Sequence, residues 1–378
     1  MTKPMLLADF DRLPPATRVH TLDGLSGAID QVAERGPESH RFLRFQWFAA
    51  AIEAYGGQAR TIVVKDDGGA VIALPMVRFG PNPARLAAVP GSYWPFRSFP
   101  ASVAADAGAH ATLVTALAGE VNALRVGPVY DGDPSFEPLL AAARAAGWVA
   151  LDRFVADSYL LDMVRAGGGA RADATWPRNS TLRKNRFHEK HLGEHGALDW
   201  SFLSGDAWAH GGFDALASIE QKSWIAARTD GSDAKFTDTG HGAFWRGAAA
   251  DPVLAGMLWA AVLRVDGRPA AFSFDINAGA LKYAIANSYD PAFAKHSPGK
   301  LLYYRNLIRA LDDGMTTVDW GAGDSGYKQV IGAEKGPVIR DWLLVRPGLP
   351  AILGRALRSV WERSGQAPAT TAATRAPA

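Results

Sequence analysis

The chain contains no cysteine. Disulfides, thiolate nucleophiles and cysteine-ligated zinc are thereby excluded. It also lacks a long apolar run. The longest, Val253 to Leu263, falls short of the ~20 residues a helix needs to cross a bilayer. The opening MTKPMLLADFDRL places acids where a secretory signal has its apolar core, so a cytoplasmic location is expected. Excess charge of one sign is missing too. The formal net charge is +2, so any basic site has to be local and DNA is not an expected partner. No sustained heptad pattern appears, which argues against a long coiled-coil arm.

What is present is an ordinary globular composition, 48% hydrophobic and 21% charged over 378 residues, long enough for two domains. Residues 1–165 alternate helical and strand patterns and are expected to form an α/β domain. Phe42 to Tyr55, Ala107 to Val121 and Phe136 to Ala146 read as helices. Arg60 to Lys65 and Ala70 to Phe79 read as a hairpin about Asp66–Gly69, and Leu124 to Val129 as a strand. Between them, PGSYWPFRSFP (90–100) holds Tyr93 and Arg97 in a proline-broken loop. It reads either as a groove wall with Arg97 on an anion or as an aromatic plug.

Ala166 to Asp173 reads as a linker and 166–346 as a second α/β domain. Arg178 to Glu194 is a helix polar on nearly every side. Arg183, Arg186 and Lys190 share one stripe while Lys184 projects elsewhere. Such a helix either binds something polar or is a solvated face. His188, His191 and His195 raise a metal reading, but three ligands from one straight helix rarely converge on an ion, and no metal is expected. Leu198 to Leu203 reads as a strand, and Phe213 to Ala227 as a helix carrying Lys222 and Trp224. Leu254 to Val265 and Ala270 to Asn277 read as a hairpin about Asp266-Gly267, followed by a strand from Leu281. Pro337 to Val345 closes the domain. Within 347–363, Pro350 to Arg363 is an amphipathic basic helix that can dock on the body, lie on a membrane surface or meet an anionic ligand such as a cyclic dinucleotide. Residues 364–378 are small and polar and are expected to be disordered.

The most informative stretch is His296 to Lys328, HSPGKLLYYRNLIRALDDGMTTVDWGAGDSGYK. Apolar spacing from Leu301 to Leu311 predicts a helix, Asp312-Asp313-Gly314 its end, and Thr316 to Trp320 a strand carrying Asp319. A glycine-rich turn then delivers Tyr327 and Lys328. The helix start at Ser297–Lys300 is a natural seat for a pyrophosphate.

Together with LKYAIANSYDPAFAKHSPG (281–299) and NSTLRKNRFHEKHLGEHGALDWSF (179–202), this stretch resembles the GNAT-type acyltransferases of the CelD and FemAB-like group (the BioF2-like acetyltransferase domain). The resemblance runs over about 155–345 and rests on the order of its pieces. It implies tandem GNAT-like domains, each a mixed, mostly antiparallel sheet flanked by helices. It further implies an N-acyltransferase with acetyl-CoA or another acyl-CoA as donor, acting without metal on an amine. An amino sugar of a polysaccharide precursor, as in exopolysaccharide or holdfast-type adhesin modification, is the favoured acceptor. Ser297, Gly299 and Lys300 would then bind the donor. Asp319 would be the general base, Tyr327 the proton donor to the leaving thiolate, and Lys328 a cation for phosphate or oxyanion. Arg183, Lys184, Arg186, Lys222, Trp224, Tyr93 and Arg97 would line the acceptor side. The chain carries S-P-G-K in place of the usual Q/R-x-x-G-x-G/A, which leaves longer acyl groups open. A Fem-like aminoacyl transferase on a peptidoglycan precursor and a non-catalytic nucleotide sensor are the alternatives.

Overall fold

The computed structural model describes residues 18–91, 97–166, 179–223, 234–323, 326–356 and 358–364. Its strands are β1 Val19–Asp23, β2 Ala59–Asp66, β3 Gly69–Phe79, β4 Leu86–Ala88, β5 Ala123–Tyr130, β6 Val149–Asp162, β7 Leu198–Leu203, β8 Leu258–Val265, β9 Arg268–Ala278, β10 Leu281–Tyr289, β11 Thr317–Ala322 and β12 Glu334–Val345. The helices that matter below are α1 Ala28–Glu34, α2 Phe45–Tyr55, α3 Ala107–Glu120, α4 Phe136–Ala145, α5 Asn179–Leu192, α6 Gly212–Glu220, α7 His241–Ala248, α8 Pro298–Asp312, α9 Leu349–Ala356 and α10 Arg358–Ser364. They fall into two compact units. One takes the described parts of residues 1–28, 57–157 and 337–378, the other those of 29–56 and 158–336.

In the first unit the strand order is β1-β2-β3-β4-β5-β12-β6, with β4 and β5 parallel. Leu113 and Leu117 of α3 and Phe136, Leu139 and Leu140 of α4 are buried. The central strands of this unit carry charge. Asp341 on β12 is buried and takes Arg125 from β5 and Arg153 from β6, both at 2.6 Å. Arg340 next to it pairs with Asp131 and Asp152. Matched charges of this kind can sit inside a sheet because their attraction and charge-assisted hydrogen bonds offset the cost of taking them out of water. In the basic segment after β12 the described residues are helical, as α9 and α10. Ala351 and Gly354 of α9 face inward, Leu349, Ile352 and Leu353 are exposed, and Arg153 stacks on Trp361 at 4.3 Å.

In the second unit the order is β6-β11-β10-β9-β8-β7, antiparallel except for β10 and β11. Asp266 and Gly267, at φ 49° and 73°, turn β8 into β9 with the left-handed backbone a two-residue hairpin demands. The expected strand from Leu254 begins only at Leu258. Asp251 accepts the N–H of Leu254 at 2.8 Å, Pro252 follows, and Pro252–Met257 is a helix. Cap and proline override the apolar run there. The described part of α6 ends at Glu220.

Residues 29–56 belong to this unit. Trp47 of α2 packs on Phe244 and Trp245 of α7, at 4.8 and 5.8 Å between ring centroids, and Ala50 lies against Gly247. Phe272 and Phe274 of β9 meet Phe236 on the α6 side. Ser273 and Asp275, on the opposite face by the two-residue period of a strand, bond to Asn306 of α8.

That last contact is part of a buried polar network. Asn306 Nδ2 donates to Asp275 Oδ2 (2.7 Å), Lys282 Nζ donates to the same oxygen (3.2 Å), and Trp259 Nε1 donates to Asn306 Oδ1 (2.9 Å). Burial pulls the Lys282 ammonium below its ordinary pKa, against the pull of Asp275 in the other direction. Lys282→Met therefore leaves a buried carboxylate without its cation, and is expected to cost about 3–5 kcal/mol. Chemical denaturation measures this, and a loss below ~1 kcal/mol would show that the pair contributes nothing.

Candidate active site

The site begins with a short pairing. β10 and β11 are parallel neighbours joined by α8, and they pair only at Leu281↔Thr317, Lys282↔Val318 and Tyr283↔Asp319. β10 continues to Tyr289 and β11 to Ala322. Beyond Tyr283 that edge of β10 has no strand partner among the described residues. The register of β10 on β9 also slips between Ala284 and Ala286, a bulge at the start of the separation. An unpaired strand edge offers N–H and C=O groups to any extended ligand. Asn287, on this stretch, has a buried Nδ2 without a hydrogen-bond partner.

The N-terminus of α8 lies next to the same stretch. Ser297 takes a left-handed φ of 50°, and Pro298 opens the helix. Leu301 N–H donates to Ser297 O at 3.1 Å as the first intrahelical bond, so the N–H groups of Gly299 and Lys300 precede it and aim off the helix end. Gly299 is buried because β10 runs close by. A Cβ there would stand 3.0 Å from Asn287 Oδ1 and 3.1 Å from the Tyr289 ring.

Cations crowd this end. Burial and then Lys184 depress the Lys300 ammonium. His188 is depressed by burial, then by Lys184, Lys300, His296 and His191. Lys184 of α5, expected on the acceptor side, thus stands beside Lys300. The three histidines read onto one helix separate. His195 has left the helix for a 3-10 turn and its Nε2 meets His296 Nε2 at 2.9 Å, and no metal-ligating cluster exists among the described residues.

Asp319 is buried at the last position of β11 that pairs with β10, and its Oδ1 accepts the N–H of Gly321 at 2.7 Å. Tyr327 is partly exposed, its ring against Trp320 (5.8 Å) and Tyr303 (6.2 Å). Burial pushes the Tyr303 phenol well up, with Tyr304 and Tyr327 adding to it. Lys328 differs from the expectation of a phosphate or oxyanion cation. It is buried, and its Nζ donates to the carbonyls of Trp320 (2.6 Å), Ala322 (3.0 Å) and Gly321 (3.3 Å). An ammonium has three N–H groups, so this one is committed to holding the glycine turn.

The remaining expected residues scatter. Arg183 and Arg186 are exposed on α5. Lys222 is exposed and stands 3.6 Å from Asp290, the residue that caps the turn after β10. Arg97 lies in the first unit, its backbone bonded to Gly127 and Pro128. Tyr93 and Trp224 fall outside the described residues. Sequence reasoning passed over Asn287, Tyr303 and His296, for which no spacing signal exists. It also gave no role to Glu220. That carboxyl is buried, accepts the N–H groups of Lys235 and Phe236, and is pushed up by burial.

Residues 179–329 match the family model described as an acetyltransferase (GNAT) domain, and this indicates an acyltransferase. No curated protein matches the chain. Among solved structures it is similar to FemX, at 12% identity and a TM-score of 0.55 over 88% of this chain and 98% of that one. It is also similar to a conserved protein of unknown function from Bacteroides thetaiotaomicron VPI-5482, at 12% identity and a TM-score of 0.52 over 84% and 96%. At such identities these likenesses establish the fold, a mixed α/β architecture.

Gly299→Ala is expected to lose about 1–3 kcal/mol by pushing Asn287 and Tyr289 off α8, measured by denaturant titration. An unchanged midpoint would mean that the helix end is not tightly seated. Lys184→Met removes a like charge from His188, whose titration midpoint is expected to rise toward the ordinary histidine value. NMR of the imidazole protons measures this, and an unmoved midpoint would remove Lys184 from the cluster.

Proposed function

We propose that the chain is an N-acyltransferase that moves an acyl group, acetyl in the simplest case, from an acyl-CoA to an amine, and that the second unit carries the chemistry. The observation that carries the reading is the separation of β10 from β11 beside the cation-crowded N-terminus of α8. A pyrophosphate fits the N–H groups of Gly299 and Lys300 with the Lys300 and Lys184 ammoniums beside it. The amide-bearing arm of the donor fits along the unpaired edge of β10, where Asn287 Nδ2 has an unused N–H. Its thioester then falls toward Asp319.

Aminolysis of a thioester needs an amine without its extra proton, a stabilised tetrahedral oxyanion and a protonated leaving group. Asp319, oriented by the Gly321 N–H, takes the proton from the amine as its nitrogen bonds to the acyl carbon. The carbon–sulfur bond breaks and Tyr327 returns a proton to the thiolate. Lys328 keeps the Gly321–Ala322 turn in place and takes no part in proton transfer. For the acceptor we propose an amino sugar of a polysaccharide precursor. What supports it is the exposed Arg183 and Arg186 on α5, suited to a phosphate-bearing glycan.

Calorimetric titration with acetyl-CoA, a longer acyl-CoA and free CoA tests the donor, and turnover on amino-sugar acceptors tests the reaction. Lys300→Ala is expected to weaken donor binding roughly 10-fold or more, as loss of a charge-assisted phosphate contact does. Asp319→Asn is expected to leave it unchanged while lowering kcat by about 10²–10⁴. If no CoA species binds, the acyl-CoA reading fails.

A further inference from the structure

The His195–His296 contact has no part in the chemistry above. Both residues lie in short 3-10 turns, one after α5 and one leading into α8. His195 also packs edge-on against Phe293 at 5.7 Å, and the two imidazoles stand 4.8 Å apart between centroids. Their Nε2 atoms, 2.9 Å apart, share one hydrogen, so one of the two nitrogens is an acceptor without a proton. His296 directly precedes Ser297, the residue that caps α8. The groups around the pair include His188 and His191 on α5, with Lys184 and Lys300, and also the Asp266 carboxylate, which accepts the Ala197 N–H two residues beyond His195 at 2.8 Å. Lys295 and Glu194 adjoin the pair in sequence, and both are exposed.

We propose that His195 and His296 together bind a phosphate monoester, and that the pair takes up a proton when it does so. The inference rests on the acyl-CoA reading only for the identity of the ligand. The 3′-phosphate of CoA, at the far end of a donor whose pyrophosphate sits on α8, is the monoester this placement fits. An incoming dianion offers acceptors to both rings. The bare Nε2 gains a proton from solvent, the hydrogen bond between the rings opens, and two N–H groups face the phosphate oxygens.

Calorimetry in two buffers of different ionisation enthalpy counts the protons taken up. CoA, dephospho-CoA, adenosine 3′,5′-bisphosphate and UDP-glucosamine are the probes; the first and third carry the 3′-monoester and the others carry only a diphosphate. CoA is expected to bind at least 10-fold more tightly than dephospho-CoA, with proton uptake that dephospho-CoA and UDP-glucosamine lack. His195→Gln and His296→Gln are each expected to reduce CoA to the dephospho-CoA level and to leave dephospho-CoA unchanged. Equal binding of CoA and dephospho-CoA without proton uptake overturns the proposal and leaves the acyltransferase reading intact. Adenosine 3′,5′-bisphosphate bound with proton uptake while no CoA species binds has the opposite meaning. The histidine pair then stands as a monoester site and the acyl-CoA reading falls.

Discussion

Three residue pairs hold β10 to β11, and the second unit is arranged around the fact that there are no more. Parallel strands joined through a helix normally stay in register along their shared length. Here α8 is pinned at its middle and at its start, beside the place where the strands separate. At its middle, Asn306 is locked to Ser273 and Asp275 of β9. At its start, Gly299 brings the first turn against Asn287 and Tyr289 of β10. A helix fixed at two points cannot swing, so its N–H groups are directed at one place before any ligand arrives. Such preorganisation is what an anion site needs, since donors already aligned require no reordering on binding.

The same constraint explains the local electrostatics. Lys300 and His188 are both held below their ordinary pKa values, first by burial and then by cationic neighbours. Like charges so placed repel one another, and a dianion between them relieves the repulsion. Lys328 shows the opposite arrangement. Its ammonium is satisfied by three carbonyls of the glycine turn, and the turn's Gly321 N–H is in turn bonded to Asp319. One residue pair thus fixes the end of β11 while the other end of the separation stays electrostatically unbalanced.

The parts of this arrangement that are written in local periodicity were legible in the sequence. The α8 helix, its S-P-G-K start and the Asp266-Gly267 hairpin follow from apolar spacing, proline placement and turn chemistry, and they appear within a few residues of expectation. β6 was not legible. Asp152, Arg153 and Asp157 break its apolar pattern, and only Arg340 and Asp341, nearly two hundred residues later, show why charge is tolerated there. The placement of residues 29–56 in the second unit was hidden for the same reason, because Trp47 finds its aromatic partners at Phe244 and Trp245. Lys328 looked like a catalytic cation because sequence shows a charge and not its acceptors. His195 was read onto the same helix as His188 and His191, although Gly193, a common helix-ending residue, stands two positions before it, and it lies in the 3-10 turn that follows.

Sorting the polar groups of this unit by whether the protein already satisfies them separates scaffold from site. Lys282, Asp275 and Asn306 answer one another, and Lys328 answers the glycine turn; none of them has obvious capacity for a ligand. Asn287 Nδ2 is buried without a partner. The first N–H groups of α8 have no intrahelical acceptor, Lys184 and Lys300 repel, and the histidine pair keeps one nitrogen bare. All of these lie on β10, on α8 or on the elements packed against its start. Unsatisfied donors are costly singly; others are buried elsewhere, Trp245 Nε1 and Trp361 Nε1 among them, and what sets Asn287 apart is that it adjoins the start of α8. Cationic side chains and helix N–H groups thus adjoin the place where two strands part, and that juxtaposition is why the proposed donor is a phosphate-bearing, extended ligand.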